Sequence, residues 1–158
     1  MTNKEAILNF INHNTEVWNH GTHGLPHWQR VEEIGEVLAK ASGADEEVVR
    51  LFAYTHDLGR TTNSPDQSHG PKSAKLVEIL YNEGILKLTA KQYEQLIYAC
   101  SNHVILLAKS DDITIQTCWD ADRLDLWRVG KTPDPQYLYT EFAKKPETIA
   151  WTKGLSLK

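Results

Sequence analysis

Apolar residues recur along this chain at three- and four-residue spacing, and strict alternation of apolar with polar is scarce, so the pattern predicts helices rather than strands. Thr2 followed by Glu5 reads as a capping box that opens a first helix reaching about Trp18. Between His23 and Gly43 the residues Val31, Ile34, Val37, Leu38 and Ala41 form a helical stripe, with Pro26 suited to a first turn and Gly43 to a left-handed stop. Asp45, Glu46 and Glu47 place negative charge at the start of the next helix, "VVRLFAYTHDLG", with Gly59 as its predicted end. The segment "TTNSPDQSHG" is dense in turn formers and is the predicted functional loop. A helix from Ser68 or Pro71 to Gly84 follows, and Thr89 with Gln92 caps one that carries Tyr93, Leu96, Ile97, Cys100 and His103. One further helix is expected over "IQTCWDADRLDLWRV" as far as Gly130, and a late one from near Pro133. The sum is an all-α, single-domain, compact bundle of about six to eight helices over 1–158.

Several polar residues fall on the apolar stripes. His27 shares a face with positions 31, 34 and 38, and His56 follows Val49 and Phe52. His69 is in register with Leu76 and Leu80, His103 with Leu96 and Cys100, and Asp122 lies between Cys118 and Leu126. One such histidine alone is most simply a hydrogen-bonded core residue. Four histidines with Asp57 and Asp122, all facing inward and spread over five helices, are harder to bury, because an unpaired carboxylate costs several kcal/mol. A divalent cation offsets that cost, since imidazole nitrogen and carboxylate oxygen are its ordinary ligands. His56 and Asp57 are adjacent and diverge by about 100° in mid-helix; at a helix end before Gly59 they can flank one ion.

Composition narrows the setting. At 158 residues the chain can bury roughly 70% of its unfolded surface without staples. Two cysteines, Cys100 and Cys118, cannot form a disulfide framework, and the start of the chain lacks a secretory pattern, so a reducing, cytoplasmic location is expected. No apolar run approaches the ~20 residues a bilayer span needs. A net charge of −4 disfavours a nucleic-acid polymer as partner.

With these residues in view, His27, the pair His56-Asp57 and an aspartate in "DADRLDL" resemble the H…HD…D signature of the HD superfamily of metal-dependent phosphohydrolases. The stretches "HGLPHWQRVEEIGEVLA", "LFAYTHDLGR", "SHGPKSAKLV" and "CWDADRLDLWRVG" are similar to that family, and the resemblance covers about Gly24 to Gly130, leaving 131–158 as a C-terminal helical extension. It implies an HD-like fold and hydrolysis of a small phosphoester or phosphoanhydride, a nucleotide above all, by metal-activated water. The implied ligands are His27, His56, Asp57 and Asp122, the last chosen because "ADRL" fits the family pattern, with Asp120 as second choice.

Asp57 is also the residue expected to orient the water or relay its proton. The family's acidic residue soon after the HD pair is replaced here by "LGRT", and Arg60 suits a phosphate better. Arg30, Arg60, His69, Lys72 and His103 are the expected substrate contacts, with Arg30 alternatively pairing with Asp122, and Arg123 near enough to serve Asp120 or Asp122. One divalent ion (Mn, Fe, Ni, Co, Mg or Zn) is favoured; the alternative is a second ion on His69 and His103. Trp28, Trp119 and Trp127 are read as core rather than base-stacking residues. The expected partner is a small phosphorylated substrate, with homo-oligomerisation left open. Two other readings stand beside the hydrolase: a non-catalytic metal-containing module that binds a nucleotide or protein, and a paired-iron oxygenase.

Overall fold

The computed structural model describes residues 1–14, 21–62, 64 and 66–158. Among them are eight α-helices and no strand: α1 (Asn3–Asn14), α2 (Leu25–Ser42), α3 (Glu46–Thr55), α4 (His69–Asn82), α5 (Ala90–Asn102), α6 (Ile113–Arg123), α7 (Glu141–Lys144) and α8 (Pro146–Ser156). No helix among these residues is long and apolar enough to cross a membrane. Trp18, to which the first helix is predicted to reach, lies outside the described residues, as do Asn63 and Pro65 of the predicted loop.

The predicted start signals act as read. Thr2 and Glu5 exchange capping bonds ahead of α1, and Thr89 and Gln92 do so ahead of α5. Asp45 caps α3 through the amides of Glu47 and Val48, and Asp112, which the sequence reading did not single out, caps α6 through those of Thr114 and Ile115. The three N-termini are tied together, because Gln92 donates to Asp45, Gln95 to Asp112, and the Asp45 amide to Thr114 Oγ1. That lattice fixes α3, α5 and α6 as a unit at the end of the bundle remote from their carboxyl termini.

Helix α3 is the axis of the core. Residues 51–59 are all buried, and α3 packs against α1, α2, α5 and α6, which is why its second half carries no charged residue. The predicted stripe of α2 holds at Val31, Ile34 and Leu38, whereas Val37 and Ala41 face outward and Trp28, Gly35 and Ala39 take the inner positions.

Three boundaries differ from the sequence expectation. α3 stops at Thr55 with His56 as its cap residue, and 56–59 form a turn. The helix expected through Gly130 ends at Arg123 and continues as a 3₁₀ turn over Leu126–Val129, closed by Gly130 at φ 79°. The single late helix is instead a 3₁₀ turn at Pro135–Tyr137 followed by α7 and α8. Asp120 draws the Tyr139 and Thr140 amides and the Thr140 hydroxyl to its carboxylate, each at 2.8 Å, which holds that stretch out of helix. Lys145, extended ahead of Pro146, separates α7 from α8.

Two glycines bring the first turn of α4 against the rest. A Cβ on Gly59 would meet the His69 carbonyl, the Ser73 amide and Lys72 Cβ, each at 2.6 Å, and one on Gly70 would meet the Ser101 carbonyl at 2.7 Å. Ser73 locks the contact by accepting from the Gly59 amide at 2.8 Å and donating to the His56 carbonyl at 2.7 Å. Gly59→Ala therefore overpacks backbone against backbone, at about 1–3 kcal/mol. The expected result is a Tm lowered by several degrees in thermal unfolding; an unchanged Tm would show that the turn yields freely.

Candidate metal centre

Each of the four buried histidines has one ring nitrogen already committed. His56 Nδ1 faces the carbonyls of Phe52 and Ala53 at 2.9 and 3.1 Å, and His103 Nδ1 faces that of Cys100 at 2.6 Å. His69 Nδ1 faces the Asp66 carbonyl, and His27 Nδ1 faces Asp125 Oδ2 at 2.6 Å. A carbonyl or carboxylate only accepts, so Nδ1 is the N–H in every case and the Nε2 lone pair is left over. This is the tautomer that metal-binding histidines adopt, with the outer nitrogen held by a carbonyl or carboxylate.

The four Nε2 atoms converge in two pairs. His27 and His56 meet at 3.2 Å, His69 and His103 at 2.9 Å, and Asp57 lies between the pairs. Its Oδ2 is 3.1 Å from His56 Nε2 and 3.6 Å from His27 Nε2, while its Oδ1 is 3.2 Å from His69 Nε2 and 3.8 Å from His103 Nε2. Asp122 Oδ1 joins the first pair at 3.1 Å from His27 and 3.3 Å from His56. With the rings neutral, lone pairs thus point at lone pairs. Asp57 Oδ2 is buried with no hydrogen-bond donor aligned on it, the signature of a missing positive charge. Three overlapping donor groups could hold a cation: His27, His56 and Asp57; Asp57, His69 and His103; and His56, His103 and Asp122.

Electrostatics point the same way. Burial opposes charge on His56, yet the carboxylates of Asp57 and Asp122 outweigh it and push its pKa up to about 10. Asp57 and Asp122 stay well below the usual carboxylate range: burial opposes this, and the adjoining histidines more than compensate. Burial moves His103 down, toward the neutral ring. His56 therefore attracts positive charge more strongly than His103.

Around these donors a second set holds them in place. Asp125, fully buried, receives His27 Nδ1, Arg30 Nε at 2.8 Å and the hydroxyl of Ser156 from α8. Sequence reasoning missed Asp125, although it stands three residues after Asp122 in the same motif, the spacing that returns to one helical face. Asp120 points elsewhere, to Tyr139 and Thr140, and burial lifts its pKa to about 6 against those hydrogen bonds. Of the two candidate aspartates the structure brings only Asp122 to the histidines.

A cavity of about 510 Å³ opens onto Asp57, His69, His103 and Asp122. Arg60 lines it and contacts Asp57 Oδ1 at 3.2 Å and the Ser64 carbonyl at 3.0 Å. Two expected substrate contacts are not there. Arg30 is spent on Asp125 rather than on substrate or Asp122, and Lys72 is exposed beside a different depression with Thr61 and Leu76. Arg123, expected beside the aspartates, makes its hydrogen bond to the Ile105 carbonyl at 3.4 Å. The cavity wall instead adds His23, Arg123, Arg128 and Lys131, which carry no periodic signal that marks them. Trp28 and Trp119 are core residues, and Trp127 donates to Thr152.

A family model described as HD domain matches residues 24–127. Comparison with curated proteins and with solved structures finds no match.

Two outcomes follow from this geometry. Asp122→Asn is expected to lower bound metal, counted by elemental analysis after dialysis, while Asp120→Asn keeps the metal and lowers Tm by loosening residues 139–140; the reverse pattern would reassign the ligand. Metal entry must also displace the proton that Asp57 and Asp122 hold on His56. Below about pH 10, apparent affinity for the first ion therefore rises with pH, by up to about tenfold per unit, and calorimetry in buffers of different ionisation enthalpy should register proton release. A flat profile would mean that His56 Nε2 is not a ligand.

Proposed function

The chain belongs to the HD domain family, and on that premise we propose that it is a metal-dependent phosphohydrolase acting on a small phosphorylated substrate. The observation that carries the reading is the division of the Asp57 carboxylate between two pairs of histidine Nε2 lone pairs. In this reading two divalent ions are held: one by His27, His56, Asp57 and Asp122, the other by Asp57, His69 and His103. The second donor set moves the balance from one ion to two and makes His69 and His103 ligands rather than substrate contacts. Bound there, the ions would polarise a phosphoryl oxygen and lower the pKa of water enough to yield hydroxide near neutral pH.

The chain's own residues supply position and charge. Asp57, held ionised, accepts a hydrogen bond from the attacking water and orients it, and its low pKa excludes it as proton donor to the leaving group. Arg60, anchored by Asp57 and Ser64 at the cavity mouth, meets a phosphate oxygen with a guanidinium fork. Asp125 and Ser156 keep the His27 ring from rotating. The same donors would suit the paired irons of an oxygenase; four lining cations, Arg60, Arg123, Arg128 and Lys131, favour the phosphorylated substrate.

The test is a hydrolysis panel of p-nitrophenyl phosphate and nucleoside mono-, di-, tri- and cyclic phosphates, with Mn, Fe, Co, Ni, Mg and Zn added in turn, alongside metal counting. Two ions per chain and turnover of at least one ester are expected. His69→Ala should reduce the count to one and lower kcat/KM by more than the roughly 10–100-fold typical of outer-shell substitutions. No turnover with any ion would reject the hydrolase, and iron-dependent oxygen uptake would replace it with the oxygenase.

A further inference from the structure

The cations of the cavity are of two kinds. Arg60 and Arg128 are committed: Arg60 to Asp57 and Ser64, Arg128 to the Thr22 carbonyl at 2.6 Å and the Asp125 carbonyl at 2.9 Å. Arg123 and Lys131 are not. Arg123 makes one long bond of 3.4 Å to the Ile105 carbonyl, and neither residue has a carboxylate within ion-pairing distance among the described residues. Both nonetheless line the same cavity, in a protein whose overall charge is −4. His23, on the same wall, is driven down to about 4, first by burial and then by Arg60, with Arg128 adding to it. Uncommitted cations beside a cavity repel one another and gain by meeting an anion.

Arg123 follows the proposed ligand Asp122, so on α6 its side chain turns about 100° away from the histidines. Lys131 enters from beyond the 3₁₀ turn, just after Gly130. Val104, Leu106, Leu126 and Val129 share the lining, an apolar wall beside these charges. A lone phosphate at the histidine cluster is served by the ions and Arg60, and leaves Arg123 and Lys131 without a partner.

We propose that Arg123 and Lys131 form a second anion subsite, so that the substrate carries two phosphate groups, one at the histidine–aspartate cluster and one held by these two side chains. The inference rests on the hydrolase reading and narrows its substrate class. Two arrangements meet the chemistry, a contiguous diphosphate and two phosphates separated by an uncharged spacer lying on the apolar wall.

The test uses the full Mn-loaded chain and the double variant Arg123→Gln/Lys131→Gln. Calorimetry compares a nucleoside monophosphate with the corresponding diphosphate and 3′,5′-bisphosphate; kinetics compares the hydrolysed two-phosphate compounds with p-nitrophenyl phosphate. Wild type should prefer at least one two-phosphate ligand. The double variant should lose about tenfold or more of that preference, in binding and in the kcat/KM ratio, as expected for a lost charge-assisted contact. Arg123→Lys should restore part of it, and circular dichroism with metal counting confirms an intact fold. Absence of the preference in wild type, or its full retention in the double variant, overturns the subsite. Failure to hydrolyse any ester rejects the hydrolase instead, and the calorimetric comparison still decides the subsite.

Discussion

Four imidazole Nε2 atoms aimed at one another across a carboxylate, at the inner end of a cavity in a helical bundle, form the constraint around which this molecule is arranged. Such an array is repulsive by itself. Each Nδ1–H is consumed by a carbonyl or by Asp125, so no ring can rotate to relieve it without stranding a buried donor. The scaffold is therefore built to present electron pairs to something positive and to prevent their escape. Apolar side chains in their place would suit stability alone, so the presence of these groups speaks for chemistry.

Presenting them requires helix ends more than helix faces. His56 and Asp57 lie where α3 ends, His69 opens α4, and His103 closes α5. At a terminus the backbone no longer forces neighbouring side chains apart, and carbonyls of the last turn are within reach of Nδ1–H. Phe52, Ala53 and Cys100 do that service. Close approach of α4 then depends on Gly59 and Gly70, where any side chain would strike backbone. The capping lattice of Asp45, Gln92, Gln95, Asp112 and Thr114 at the opposite ends keeps the helices in the register that makes the meeting possible.

How much of this was legible in the sequence depends on which force set each feature. Helices whose caps and apolar periods are local were readable, as were His27, His56 and Asp57, because a polar residue on an apolar stripe is visible without coordinates. The choice of Asp122 over Asp120 came from a resemblance; the structure supplies the physical reason, since the Asp120 carboxylate is consumed by residues 139 and 140. Arg30 and Lys72 misled, because spacing along a helix says which face a cation shares but not which carboxylate claims it. Arg30 goes to Asp125, 95 residues away in sequence, a contact no local pattern encodes. The break after Arg123 was hidden for a similar reason: "DADRLDLWRV" has good helical composition, and only the tertiary demands on Asp120, Asp122 and Asp125 distinguish it from an uninterrupted helix.

The segment beyond the matched family region acquires its meaning from those demands. The family match ends at 127, yet Thr140, Thr152 and Ser156 reach back to Asp120, Trp127 and Asp125. Asp125 in turn grips His27 and Arg30, so a single carboxylate stands between α8 and a proposed ligand. A carboxylate that accepts from an arginine and a serine has less negative charge to lend its histidine than one that accepts from the histidine alone. Ser156 and Arg30 share Asp125 with His27 on one side of the cluster, as Arg60 shares Asp57 with His56 on the other. The hold on His27 therefore originates partly in a helix that lies outside the matched family region.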